Sequence, residues 1–185
     1  MKRAVFTLAL VVLTGCRHFT PSLDDYGVVP EFQLTDQRGG VFNSSALAGK
    51  VWVADFIFTT CTSFCPRMSS QMHQVQSAVL KVPDVRLISF TVDPVRDTPP
   101  VLARYATLFH AAPKIWYFLT GPQPALQHLD RDVFKLGNVD GSLVHSTRFV
   151  LVDANEHIRG YYDTSEKGSI PRLVADIHLL LRERA

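Results

Sequence analysis

Val51-Trp52-Val53-Ala54-Asp55-Phe56-Ile57-Phe58-Thr59-Thr60-Cys61-Thr62-Ser63-Phe64-Cys65-Pro66 passes from a nearly unbroken apolar run into a pair of cysteines and then a proline. The β-branched and aromatic residues from Val51 to Phe58 predict a central strand buried on both faces. After the cysteines, Met68, Met72, Val75 and Val79 recur at spacings of four, three and four, which predicts an amphipathic helix. A strand that turns into a helix at its cysteines places them in the crevice beyond the carboxyl ends of the strands, where open α/β sheets bind ligands. Three residues separate Cys61 from Cys65, so on a helical turn their sulfurs share one face and can form a disulfide or converge on one soft metal ion. Thr59 or Thr60 is expected to cap the helix, whose positive end favours thiolate over thiol.

The rest of the chain supplies layers for that strand. Phe32 to Phe42 alternates apolar and polar residues around Gly39-Gly40 and predicts a hairpin. Val85 to Val92 and Ile115 to Leu119 read as further strands. Asp97-Thr98-Pro99 reads as a helix start, with Asp97 as the capping side chain, and the helix runs to about Phe109. A helix from Pro124 to about Leu136 ends at Gly137. Thr147 to Val152 and His157 to Tyr162 are two strands joined by the turn Asp153-Ala154-Asn155-Glu156. Ser169-Ile170-Pro171 opens a last helix with Leu173, Ile177 and Leu180 on one stripe. This order implies one α/β domain, residues 31–185, with a mixed sheet and helices on both faces.

Met1-Lys2-Arg3, the apolar run Ala4 to Val12 and Leu13-Thr14-Gly15-Cys16 have the pattern of an export signal over residues 1–15, too short to span a bilayer permanently. Its Leu-x-Gly-Cys ending resembles a bacterial lipobox, which makes Cys16 the lipid-bearing residue and residues 16–30 a tether. The third cysteine is thereby set apart, and Cys61 and Cys65 work as a pair in an oxidising, extracytoplasmic space, in the cell envelope facing the periplasm or exterior. The chain has 19 Lys+Arg and 17 Asp+Glu; two basic and no acidic residues lie in the signal, so the remainder balances at 17 to 17. That balance leaves no electrostatic case for nucleic acid.

A disulfide closing so short a loop would stabilise only weakly, so a purely structural bridge explains little. Two thiolates with an imidazole make a soft trigonal set suited to copper. Of the seven histidines, His145 stands in a loop just before the strand at Thr147, while the others lie in the tether, in helices or near their ends, or in the last hairpin. Thr62-Ser63-Phe64-Cys65 also matches a peroxidase Thr-x-x-Cys, although Phe58 occupies the place of its expected proline.

The lipobox, Cys61-x-x-x-Cys65-Pro66, Asp93-Pro94-Val95-Arg96-Asp97-Thr98-Pro99 and His145-Ser146 together resemble the Sco/SenC family over about Phe32 to Leu180. The resemblance implies a thioredoxin-like fold and one copper, Cu(I) or Cu(II), bound by Cys61, Cys65 and His145. It also implies a metallochaperone role in assembling the CuA centre of cytochrome c oxidase, with subunit II or another extracytoplasmic copper protein as partner. The alternative is a thiol-disulfide oxidoreductase using Cys61 and Cys65 as a redox pair. Asp93 ends a buried strand on the same edge as the cysteines and has a supporting role beside the ligands or a turn-making one; Arg96 could pair with Asp93 or Asp97. Thr62 replaces a proline, and Val144 an aspartate, that many members carry.

Overall fold

The computed structural model describes residues 23–137 and 146–183. Their elements follow in chain order: β1 (Gln33–Asp36), β2 (Val41–Asn43), β3 (Val51–Ile57), α1 (Cys65–Val79), β4 (Val85–Thr91), α2 (Pro99–Leu108), β5 (Trp116–Thr120), α3 (Gln123–His128), β6 (Arg148–Val152), β7 (Ile158–Asp163) and α4 (Ser169–Glu183). One seven-stranded sheet runs β2-β1-β5-β4-β3-β6-β7. Its centre, β3, β4 and β5, is parallel, and β1, β6 and β7 join antiparallel.

Alternation along β3 divides the core. Val51, Val53 and Ile57 face α1, α2 and α4, together with Cys65, Met68, Met72, Leu102, Leu173 and Ile177. Trp52, Ala54 and Phe56 face the hairpin and α3, among Leu34, Phe42, Leu126, Leu129 and Phe134. All seven residues of β3 are buried, as a strand covered on both sides requires. Asp55 shares the parity of Val53 and Ile57, so it lies on the α1 face with the cysteines. The expected mixed sheet flanked by helices, with its N-terminal hairpin, is therefore present; in that hairpin Gly39 takes φ +81°, a turn conformation costly for residues with a Cβ.

The single helix expected from Pro124 to about Leu136 is instead broken. α3 ends at His128 and a π-helical turn follows over Leu129–Val133. The Phe134 amide reaches back five residues to the Leu129 carbonyl at 2.8 Å. That wider turn puts Leu129 and Phe134 on one face, and Phe134 packs edge-on to Trp52 and Phe56. Packing of the aromatic side chain outweighs the regular helical bond.

From Leu23, the stretch expected as a tether is laid along β7. Val28 bridges His157, the Tyr26 amide donates to the Ile158 carbonyl at 2.9 Å, and the Val29 amide donates to the Glu156 carbonyl at 2.8 Å. Arg159 clamps it through the carbonyls of Leu23 (2.6 Å) and Asp24 (2.8 Å). This covers an edge strand that would otherwise present unpaired backbone groups. Among the described residues no helix is long and apolar enough to cross a membrane.

Candidate metal and redox centre

β3 delivers the chain to the sheet edge, where Phe58 to Phe64 form the loop that precedes α1. The Cys61 amide donates to the Phe58 carbonyl at 3.2 Å, closing its first turn. Cys65 is the first residue of α1, with Pro66 next to it, where a missing amide proton costs nothing. The expected cap is absent: Phe64 holds the capping position with no side-chain hydrogen bond. Thr59 and Thr60 are separated from the helix by the cysteine loop, and Thr59 bonds elsewhere.

Cys61 and Cys65 are both thiols here, with no disulfide between them. Cys61 is 9% exposed and Cys65 wholly buried. The Cys61 sulfur lies 3.5 Å from the Ser63 hydroxyl. Burial pushes the Cys65 thiol well up; a hydrogen bond from the Phe58 backbone opposes this, while a hydrogen bond to Cys61 and the charges of Cys61 and Asp55 raise it further. The helix end was expected to favour thiolate, and at Cys65 it does not prevail, because desolvation of a buried anion outweighs a partial dipole charge. Behind it the hydroxyls of Ser69 and Tyr105 meet at 3.0 Å, and burial first of all pushes the Tyr105 phenol up.

The turn after β4 lies on the same edge, because Ile57 and Thr91 are partners in the parallel β3/β4 ladder. Asp93 is buried; its amide donates to the Thr91 hydroxyl at 2.9 Å and its carboxylate pairs with Arg96 at 2.7 Å. The two partners open to Arg96 thus resolve to Asp93. Asp97 does not cap α2, whose capping residue is Thr98 without a side-chain bond. Wholly buried, Asp97 instead accepts from the Thr59 amide at 3.1 Å, the Thr59 hydroxyl, and the Thr91 hydroxyl at 2.6 Å. Two threonine hydroxyls and an amide satisfy it better than the first turn of α2 could.

β6 runs antiparallel to β3, with Trp52 opposite Val152 and Ala54 opposite Val150. Its first residue, Arg148, therefore lies at the carboxyl end of β3, the edge occupied by the cysteines. Ser146 and Thr147 lead into it; the Arg148 amide donates to the Ser146 hydroxyl at 3.2 Å. His145 and Val144 lie outside the described residues, as does Cys16. Among the described residues no three His, Cys, Asp or Glu side chains stand together as a metal site. His73 lies on α1 itself, about two turns beyond Cys65, and His110, His128, His157 and His178 lie elsewhere in the fold; His128 pairs with Asp132 and His157 with Asp25.

Asp55 and Thr91 at this edge are passed over by sequence reading, and Thr59 is expected only as a helix cap. Asp55 alone has a signal, a carboxylate inside an otherwise apolar strand. The arrangement offers two buried sulfurs, that of Cys61 nearer the surface and that of Cys65 sealed beneath it, in surroundings that suit soft, weakly hydrated metal ions or thiol exchange.

The SCO1/SenC family profile matches residues 21–182. The Bacillus subtilis SCO1 protein homolog is 32% identical over 181 residues, spanning 92% of this chain and 93% of its own. A solved SCO1/SenC family lipoprotein from Bacillus anthracis superposes with a TM-score of 0.74 at 29% identity, over 90% of this chain and 99% of that one. BsSco, solved with a disulfide switch and described as a member of the Sco family of cytochrome c oxidase assembly proteins, has a TM-score of 0.74 at 30% identity, over 86% of this chain and 98% of that one. The thioredoxin-like fold expected from the resemblance is the fold of these structures, and this chain belongs to the SCO1/SenC family.

Proposed function

We propose that this protein is a copper metallochaperone that binds one copper ion, as Cu(I) or Cu(II), through Cys61, Cys65 and His145 and delivers it to the CuA site of cytochrome c oxidase. Copper is its cargo. The observation that carries this reading is the cysteine pair itself, two thiols hydrogen-bonded to each other at a sheet edge, both buried, with Cys61 9% exposed and Cys65 wholly sealed in the core. The start of β6 on that edge supports His145 as third ligand, since His145 directly precedes Ser146. Cys61, the less deeply buried of the two, suits transfer, because an acceptor thiolate can replace ligands one at a time. Asp93, held by Arg96, supports the loop beside the ligands. Lipid on Cys16 would keep the domain on the membrane, in agreement with the lipoprotein from Bacillus anthracis.

Family membership brings in cytochrome c oxidase assembly, with subunit II as acceptor. The disulfide switch of BsSco favours a second reading, thiol-disulfide exchange. There the Cys61 thiolate attacks a partner disulfide, forming a mixed disulfide and releasing one partner thiolate. Cys65, having lost its proton, then attacks the Cys61 sulfur and releases the second. Two electrons pass from the pair to the partner, whose cysteines are left reduced.

Copper titration of the mature chain carrying Cys16→Ser, followed by optical and paramagnetic spectra, tests the first reading. One equivalent should bind with a sulfur-to-copper charge-transfer band, lost in both Cys61→Ser and His145→Ala. Unchanged binding by His145→Ala refutes the three-ligand site. Failure to bind copper together with reduction of a model disulfide transfers the function to the second reading.

A further inference from the structure

We propose that Asp97 is a positioning residue of the copper site, whose buried carboxylate sets the path of the cysteine loop and biases the site toward Cu(II). The inference rests on the copper reading above. Thr59 stands two residues before Cys61, and both its amide and its hydroxyl donate to Asp97. Asp97 is in turn fixed to β4 by the Thr91 hydroxyl at 2.6 Å and by its own amide, which donates to the Asp93 carbonyl at 2.9 Å. Cys61 is thus held by two strands at once: through Phe58 at the end of β3, and through Thr59, Asp97 and Thr91 at the end of β4.

The bonding also indicates the state of the carboxyl group. The Thr91 oxygen accepts from the Asp93 amide, so its proton is directed to Asp97. The Thr59 amide can only donate. An acceptor with such donors is bonded as an anion. Arg96, the nearby cation, pairs directly with Asp93. A negative charge held beside the cysteine loop stabilises the more highly charged metal ion. Asparagine at this position keeps the shape but removes the charge, and its single oxygen cannot accept from all three donors.

The test compares wild type with Asp97→Asn, Thr59→Val and Thr91→Val in the mature chain carrying Cys16→Ser. In the metal-free protein, Asp97→Asn should speed exchange of the Thr59 amide at least tenfold and shift the thiol-disulfide midpoint. With copper it should shift the charge-transfer band and weaken Cu(II) about tenfold more than Cu(I), equivalent to about 59 mV for a one-electron couple. Thr59→Val and Thr91→Val, each losing one donor, should give smaller changes in the same direction. The inference is overturned if Asp97→Asn lowers melting temperature while leaving the Thr59 exchange, the band and the Cu(II)/Cu(I) ratio at wild-type values. Should Asp97→Asn not fold, wild-type values for these readouts in both threonine variants overturn it equally. Absence of copper binding by wild type refutes the copper reading, and with it the Cu(II) bias, while the metal-free measurements still decide the positioning role.

Discussion

Asp36, at the end of β1, is only 3% exposed and accepts four bonds: from the amides of Arg38 (2.8 Å) and Gly40 (3.0 Å) and from the Arg38 guanidinium at 3.0 and 2.6 Å. Burial works against its charge, yet the guanidinium and the two amides outweigh it and hold the carboxyl below its ordinary value of 3.8. A carboxyl depressed on folding adds stability above its unfolded pKa, and that stability is lost as pH falls through the folded value. Asp36→Asn should therefore cost about 1–3 kcal/mol at neutral pH, since charge-assisted bonds are lost in a nearly closed setting. Chemical denaturation across pH should show the gap between variant and wild type narrowing below about pH 3.8. A gap that stays constant into strong acid would remove charge as the cause. The same physics explains why a capping role was expected of Asp97 and is not seen: sequence gives short-range neighbours of a carboxylate, whereas Thr59, 38 positions away, supplies two of its bonds.

α2 ends in a left-handed residue where most helices place glycine. His110 has φ +53°; its amide donates to the Thr107 carbonyl, and the next amide, of Ala111, reaches the Ala106 carbonyl at 2.9 Å. The side chain of Gln76, on α1, spans to this corner, donating to the His110 carbonyl at 3.0 Å and accepting from the Ala112 amide at 2.7 Å. The histidine backbone is therefore held in a costly conformation by bonds that do not need its imidazole. His110→Gly should raise stability by about 1 kcal/mol, or roughly 2–4 °C in melting temperature, through relief of that strain. A lower melting temperature by calorimetry would show that the ring's edge contact with His73, at 6.0 Å between centroids, matters more than the backbone. At this scale the hydrophobic spacing of α1 and α4 was legible, since each buries one stripe, and α2 was legible from its proline-marked start. The break after α3 was not, because a five-residue repeat from Leu129 to Phe134 resembles a helical one until the aromatic cluster that receives Phe134 is known.

At the scale of the molecule, the segment on β7 turns an expected tether of residues 16–30 into part of the body from Leu23 onward. If Cys16 carries the proposed lipid, six residues connect anchor and body, a span of about 20 Å at most when fully extended. Arg159 is the main fastening, since it also pairs with the buried Asp153 at 2.8 Å. Arg159→Ala should cost about 2–3 kcal/mol, by releasing two carbonyls and removing the cation paired with Asp153, which keeps only the bonds from the Asn155 and His157 amides. Hydrogen exchange should then show the amides of Tyr26 and Val29 at least tenfold less protected. Unchanged protection there would mean that strand-like pairing with β7 suffices without the arginine.

Read without coordinates, the chain already determines its strands, three long helices, the layering of the sheet and the Cys61 and Cys65 pair, because these follow from local period and from chemistry carried by few residues. Tertiary structure alone decides that Cys65 is sealed and its thiol raised, that Arg96 pairs with Asp93, and that Asp97 reaches Thr59 and Thr91. Those outcomes depend on which parts of the chain the parallel β3/β4 pairing brings to one edge. Desolvation and competing hydrogen-bond donors at that edge are properties of the packed arrangement, which local spacing does not encode.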